Sequence, residues 1–157
     1  MFTHVDEQNR PGIVDVSEKA VTLRTAAARS IITVPGEVIA ALSDGEIQTK
    51  KGPVFQTAII AGTMAAKQTS ALIPLCHPLP LEGCKVEISV SGANDIVIEC
   101  RVKTHHKTGV EMEALTGATV AALTVYDMCK AFSHDMVIRE TRLIEKHGGK
   151  RDVERAP

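Results

Sequence analysis

Tryptophan is absent from the 157 residues, and one tyrosine with three phenylalanines brings the aromatic content to only 3%. So few rings leave little for stacking nucleobases, and 18 basic against 19 acidic residues supply none of the cationic excess that a phosphate backbone demands. A polynucleotide partner is therefore disfavoured. No stretch stays apolar for the roughly 18 residues of a membrane span, and Met1 to Gly12 is polar, with a proline and no apolar h-region. A cytoplasmic location without membrane contact is expected. The four cysteines, Cys76, Cys84, Cys100 and Cys129, form no C-x-x-C pair and no ligand-like group with histidine, which argues against a zinc knuckle or a redox dithiol. They read as small, soft residues of a core or site wall.

What is present is an aliphatic chain, 44% hydrophobic and 24% charged, of a length suited to one domain with its own core. The expectation is a single catalytic domain over residues 1–157, with flexible ends at about 1–12 and 148–157. Proline and glycine divide it cleanly into elements. An extended opening through Val14 and Val16, then Val21 to Val34, precedes a short helix at Glu37 to Leu42, with Asp44-Gly45 as its stop. From Pro53 to about Leu72, Val54, Ala58, Ala61, Ala65 and Leu72 recur at helical spacing. Small residues along that stretch permit close backbone approach. Two alternating runs follow, Cys84 to Ser91 and Ile96 to Lys103, with a turn at Gly92 to Asp95. Leu115, Ala118, Ala122, Val125, Cys129 and Phe132 mark a long helix, and a last strand runs from Met136 to about Lys146.

The order strand, helix, strand, strand, helix, strand points to an α+β, ferredoxin-like fold with helices on one face of an antiparallel sheet. The other sheet face then needs cover, which self-association would supply.

Chemistry-bearing residues concentrate in three places. Leu72-Ile73-Pro74-Leu75-Cys76-His77-Pro78-Leu79-Pro80 is stiffened by three prolines and suits presenting backbone groups to a ligand; a plain crossing loop with an incidental histidine is the competing reading. In Thr108 to Glu113, alternation puts Glu111 and Glu113 on one side if the segment is extended. Two close carboxylates can then hold different protonation states. Solvated acids at a helix N-terminus are the alternative. Asp127 and Lys130 stand i, i+3 on one helix face, behind the apolar approach of Val120 and Leu123. A surface ion pair is the plain reading there, and an acid or base shielded from water the functional one. Lys50-Lys51-Gly52-Pro53 at a helix entrance suits phosphate binding, or is simply solvated. Gly148-Gly149-Lys150-Arg151 reads as a basic lid or a fraying tail.

Taken together, Lys51-Gly52, Leu72 to Leu79, Thr108 to Thr116, Val120 to Lys130 and Gly148-Gly149-Lys150 closely resemble the cyclic pyranopterin monophosphate synthases, the molybdenum cofactor biosynthesis protein C family, from about Val14 to Lys150. Two departures, His134 and Arg151-Asp152, lie outside the three main motifs. The resemblance implies a lyase that converts (8S)-3′,8-cyclo-7,8-dihydroguanosine 5′-triphosphate to cyclic pyranopterin monophosphate with release of pyrophosphate. It implies a homohexamer built as a trimer of dimers, with sites at subunit interfaces. By the same resemblance Asp127, Lys51 and Lys130 are catalytic. Leu75, Cys76, His77, Met112 and Glu113 bind substrate, supported by Glu111, Lys67 and Arg24. No cofactor is evident and no protein metal site is indicated, so any Mg²⁺ is expected on the substrate triphosphate. The rival from another class is a non-catalytic oligomeric nucleotide-binding regulatory module, since fold does not dictate function.

Overall fold

The computed structural model describes residues 4–156; Met1–Thr3 and Pro157, part of the ends expected to be flexible, lie outside the described residues. Strands β1 (Thr22–Thr33), β5 (Gly83–Ser91), β6 (Asp95–His106), β7 (Val137–His147) and the short β8 (Val153–Glu154) form one sheet. Its order is β5-β6-β1-β7-β8, and every pairing is antiparallel. Helices α2 (Val54–Lys67) and α4 (Glu111–Cys129) cover one face. This is the expected ferredoxin-like arrangement, and alternation explains its two faces. Along β6, Ile96, Ile98, Cys100 and Val102 are buried beneath the helices, whereas Arg101 and Lys103 are exposed.

The opposite face is not the apolar surface that would require cover. Arg29 pairs with Glu99 at 3.4 Å, and Arg101 pairs with both Glu99 and Glu145, so crossed ion pairs span three strands. Exposed apolar residues lie on the helices, at Ile60, Met64 and Leu123, and at strand ends, at Leu23 of β1 and Val137 of β7.

Several boundaries differ from the sequence reading. Asp44-Gly45 does not stop a helix: α1 (Gly36–Ala40) ends earlier, and both residues have positive φ, 51° and 77°, in a two-residue turn. That turn joins β2 (Leu42–Ser43) to β3 (Glu46–Thr49). Asp-Gly in a type I′ hairpin is the competing use of the same pair. Residues Gly52–Pro53 form β4 against β3, so Pro53 precedes α2 as its N-cap and does not occupy its first turn. The helix expected to reach Leu72 breaks at Gln68 and resumes as α3 (Thr69–Leu72).

The small residues of α2 and α4 have a specific use. A Cβ at Gly62 would lie 2.8 Å from the Gly117 carbonyl oxygen and 3.1 Å from the Ala121 Cβ. Alanine at position 62 improves helix propensity by about 1 kcal/mol, but it must push apart two helices that pack like a solid. We expect Gly62→Ala to be net destabilising by about 1–3 kcal/mol. A melting temperature at or above that of the parent would show that this crossing tolerates separation.

Candidate functional site

Two clefts lie at opposite ends of α4. Asp127, in the last turn of the helix, occupies the first. Its carboxylate accepts hydrogen bonds from Lys51 Nζ at 2.8 Å and Lys130 Nζ at 2.9 Å. Lys130 is brought there by helical spacing. Lys51 comes from 76 residues away, on the turn between β3 and β4. That turn is held by Thr49, whose hydroxyl accepts from the Lys51 amide and donates to the Gly52 carbonyl, both at 3.1 Å. Gly52 sits at φ 108°, a conformation side chains disfavour. The cleft, about 860 Å³, is also lined by Lys50, Phe132 and His134.

The two ammonium groups hold the Asp127 carboxyl down at about 2, Lys51 foremost, and Asp127 in turn raises Lys130. Asp127 is thus a fixed anion at neutral pH. The expected exclusion of water by the apolar approach does not operate within one chain, where the Asp127 side chain is 51% exposed. At the entrance of α2 the amides of Phe55 and Gln56 already donate to the Glu46 carboxylate, at 2.8 and 3.1 Å, which leaves Lys50 and Lys51 as that segment's groups for an anion.

The second cleft, about 300 Å³, is walled by Leu75, Cys76 and His77 on one side and Glu111, Met112 and Glu113 on the other. His77 Nε2 donates to the Val14 carbonyl at 2.6 Å, fastening the N-terminal segment across the opening. Helix α4 begins at Glu111, not near Glu113, so the two carboxylates do not share a side. Two residues along a helix turn side chains by about 200°. Glu111 forms an ion pair with Lys146, whereas Glu113 is 4% exposed. Burial, with Glu111 adding repulsion, pushes the Glu113 carboxyl up to about 7. Of the two clefts' carboxylates, Glu113 is the one poised to exchange a proton near neutrality. Burial and Glu113 together also raise the Cys76 thiol.

Arg24 lies beside this end of the molecule, its Nη2 donating to the Lys107 carbonyl at 3.4 Å. A Cβ on Gly149 would stand 2.9 Å from Arg24 Nη1 and 3.8 Å from Lys146 Nζ, so the glycine segment lets the backbone lie close against two cations. After it the chain returns as β8 along β7. Lys67 is brought to neither cleft; it ends α2 beside Cys84.

Sequence reasoning missed Lys19 and His4 in the second cleft, and Lys146 as the partner of Glu111. Lys19 and Lys146 follow strand-like or irregular stretches with no motif around them, and a lone charged residue carries no local signal. Among the described residues, no three His, Cys, Asp or Glu side chains converge as metal ligands, and no helix is long and apolar enough to cross a membrane.

Residues 13–149 match the MoaC family. The chain is 55% identical over 152 residues to a cyclic pyranopterin monophosphate synthase of Xanthomonas campestris pv. campestris (strain B100), covering 97% of this chain and 92% of that protein. It is 52% identical to a molybdenum cofactor biosynthesis bifunctional protein of Synechocystis, covering all of this chain and 46% of that protein. It is also 49% identical to molybdenum cofactor biosynthesis protein 1 of Dictyostelium discoideum, over 95% of this chain and 26% of that protein.

Proposed function

Since this chain belongs to the MoaC family, we propose that it is a lyase of molybdenum cofactor biosynthesis, converting (8S)-3′,8-cyclo-7,8-dihydroguanosine 5′-triphosphate to cyclic pyranopterin monophosphate and pyrophosphate. The observation that carries the mechanism is the division of labour between the ends of α4: a fixed anion between two ammonium groups at one, and a carboxyl near neutrality at the other.

Opening the cyclised base and closing the pterin ring require proton transfers, and Glu113 has the acidity for them. His77 and Met112 shape the wall around it. Attack on the α-phosphorus then closes the cyclic phosphate and expels pyrophosphate. Lys51 and Lys130, aimed by Asp127, offset the charge that develops on the departing group. Arg24 supplies further charge for the triphosphate, and Mg²⁺ held mainly by phosphate oxygens fits the same region.

Glu113 and Asp127 are separated by 14 residues of one helix, about 21 Å along its axis, too far for one small substrate. The working site therefore joins the first cleft of one subunit to the second cleft of another. The exposed Ile60, Met64 and Leu123 on the helix layer support the assembly this needs, a homohexamer made of dimers.

The test is pyrophosphate release on mixing the protein with the cyclised dihydro-GTP. Tight binding without release would instead favour the regulatory nucleotide-binding module. For the shared site, inactive Glu113→Ala and Asp127→Ala proteins are dissociated, mixed and reassembled. Partial recovery of turnover is expected, and reassembled mixtures that stay inactive would rule out a site shared between subunits.

A further inference from the structure

A third cavity, about 450 Å³, lies on the open face of the sheet across the start of β5, among Lys85, Arg101 and Lys103, and shares no lining residue with either cleft; Cys84 belongs to the same stretch of strand and turns its side chain to the other, helix-facing side. The strand register pairs Cys84 with Val102 and Val86 with Cys100. The two cysteines are thus diagonal neighbours on the helix-facing side of adjacent strands. The register sets the two thiols side by side, and each is the foremost influence on the other's acidity. Sixteen positions apart in sequence, they carry no recognisable dithiol spacing, and pleat and register alone bring them together.

The pair is chemically unequal. Cys84 is half-buried and Cys100 fully buried. The neighbouring Cys100 thiol foremost, then the Thr63 hydroxyl and the Lys67 ammonium, lower the Cys84 thiol against its burial; the Cys84 thiol foremost and burial raise Cys100. An accessible, acidified thiol beside a buried partner is the arrangement of an attacking and a resolving cysteine. The Cys76 and Cys129 thiols are both pushed up, by burial foremost.

We propose that Cys84 and Cys100 form a peroxide-oxidisable dithiol that closes to a reversible disulfide between β5 and β6. The Cys84 thiolate attacks one oxygen of a hydroperoxide, the O–O bond breaks, and the alkoxide or hydroxide leaves and takes up a proton. The Cys100 sulfur then displaces the hydroxyl of the Cys84 sulfenic acid as water, its own proton leaving with it. Two thiols lose two electrons and the peroxide gains them. Diagonal strand neighbours lie about 7–8 Å apart at Cα, and a disulfide needs at most about 6.8 Å, so closure draws the strands together by roughly 1 Å. That movement falls near the start of β5, an edge strand preceded by irregular chain.

The experiment exposes the full-length protein to hydrogen peroxide, then denatures and alkylates it. Two of the four cysteines should resist alkylation, the mass should fall by two hydrogens, and digestion should link the Cys84 peptide to the Cys100 peptide. Dithiothreitol should restore all four thiols. In Cys100→Ser, the Cys84 sulfenic acid should persist and react with dimedone. Four alkylatable thiols after peroxide, a bridge through Cys76 or Cys129 or between subunits, or no dimedone adduct in Cys100→Ser would each overturn the proposal.

Discussion

Asp127→Asn is expected to lower single-turnover pyrophosphate release by about 10²–10³-fold, the loss seen when one pre-aimed charge-stabilising group is removed from an active site. Asparagine keeps the shape and part of the hydrogen-bonding reach of aspartate. What it removes is the charge that orients Lys51 and Lys130. Because the carboxyl is held at about 2, the aspartate has no proton to give at neutral pH, and the loss tests electrostatics rather than proton transfer. Lys51 Nζ at 2.8 Å and Lys130 Nζ at 2.9 Å would remain, but as two like charges without the anion between them. Substrate affinity and thermal unfolding are measured on the same variant. Near-normal turnover would remove Asp127 from the mechanism, and a collapse in melting temperature would make it a folding residue.

The second large effect concerns Glu113, where activity and stability should move in opposite directions. Its carboxyl titrates at about 7 in the fold against an ordinary 4.5. Below 4.5 the folded and unfolded chains both hold the proton. Between 4.5 and 7 only the folded chain does, so stability falls as pH rises, and above 7 the fold carries a buried charge. At about 1.36 kcal/mol per pH unit the difference amounts to roughly 3 kcal/mol. Glu113→Gln should abolish that slope, raise stability at pH 8 by up to this amount, and still lose turnover, since the amide exchanges no proton. Melting temperatures from pH 4 to 9, beside pyrophosphate release, decide the matter. A parent-like slope in the variant would locate the titration elsewhere.

Most elements were legible because each carries its own period. The alternation of Ile96, Ile98, Cys100 and Val102 describes a strand with one buried face whatever it packs against, and Ala118, Ala122 and Val125 describe a helical stripe. Their order then admits few topologies, and the ferredoxin-like one was found. Short elements were poorly legible: Asp44-Gly45 serves a helix end or a hairpin equally well, and β2 to β4 are too brief to show a period.

The composition described an aliphatic, near-neutral chain, and its motifs determined the family and picked out residues that line both clefts. Tertiary structure alone decided their chemistry. Lys51 reaches Asp127 because a hairpin 76 residues away packs beside the end of α4. Glu111 and Glu113 diverge because the helix already begins at Glu111, one against Lys146 and the other buried. Periodicity is a property of neighbours along the chain, whereas burial and pairing, which set every acidity here, depend on which distant segments the fold lays against a side chain.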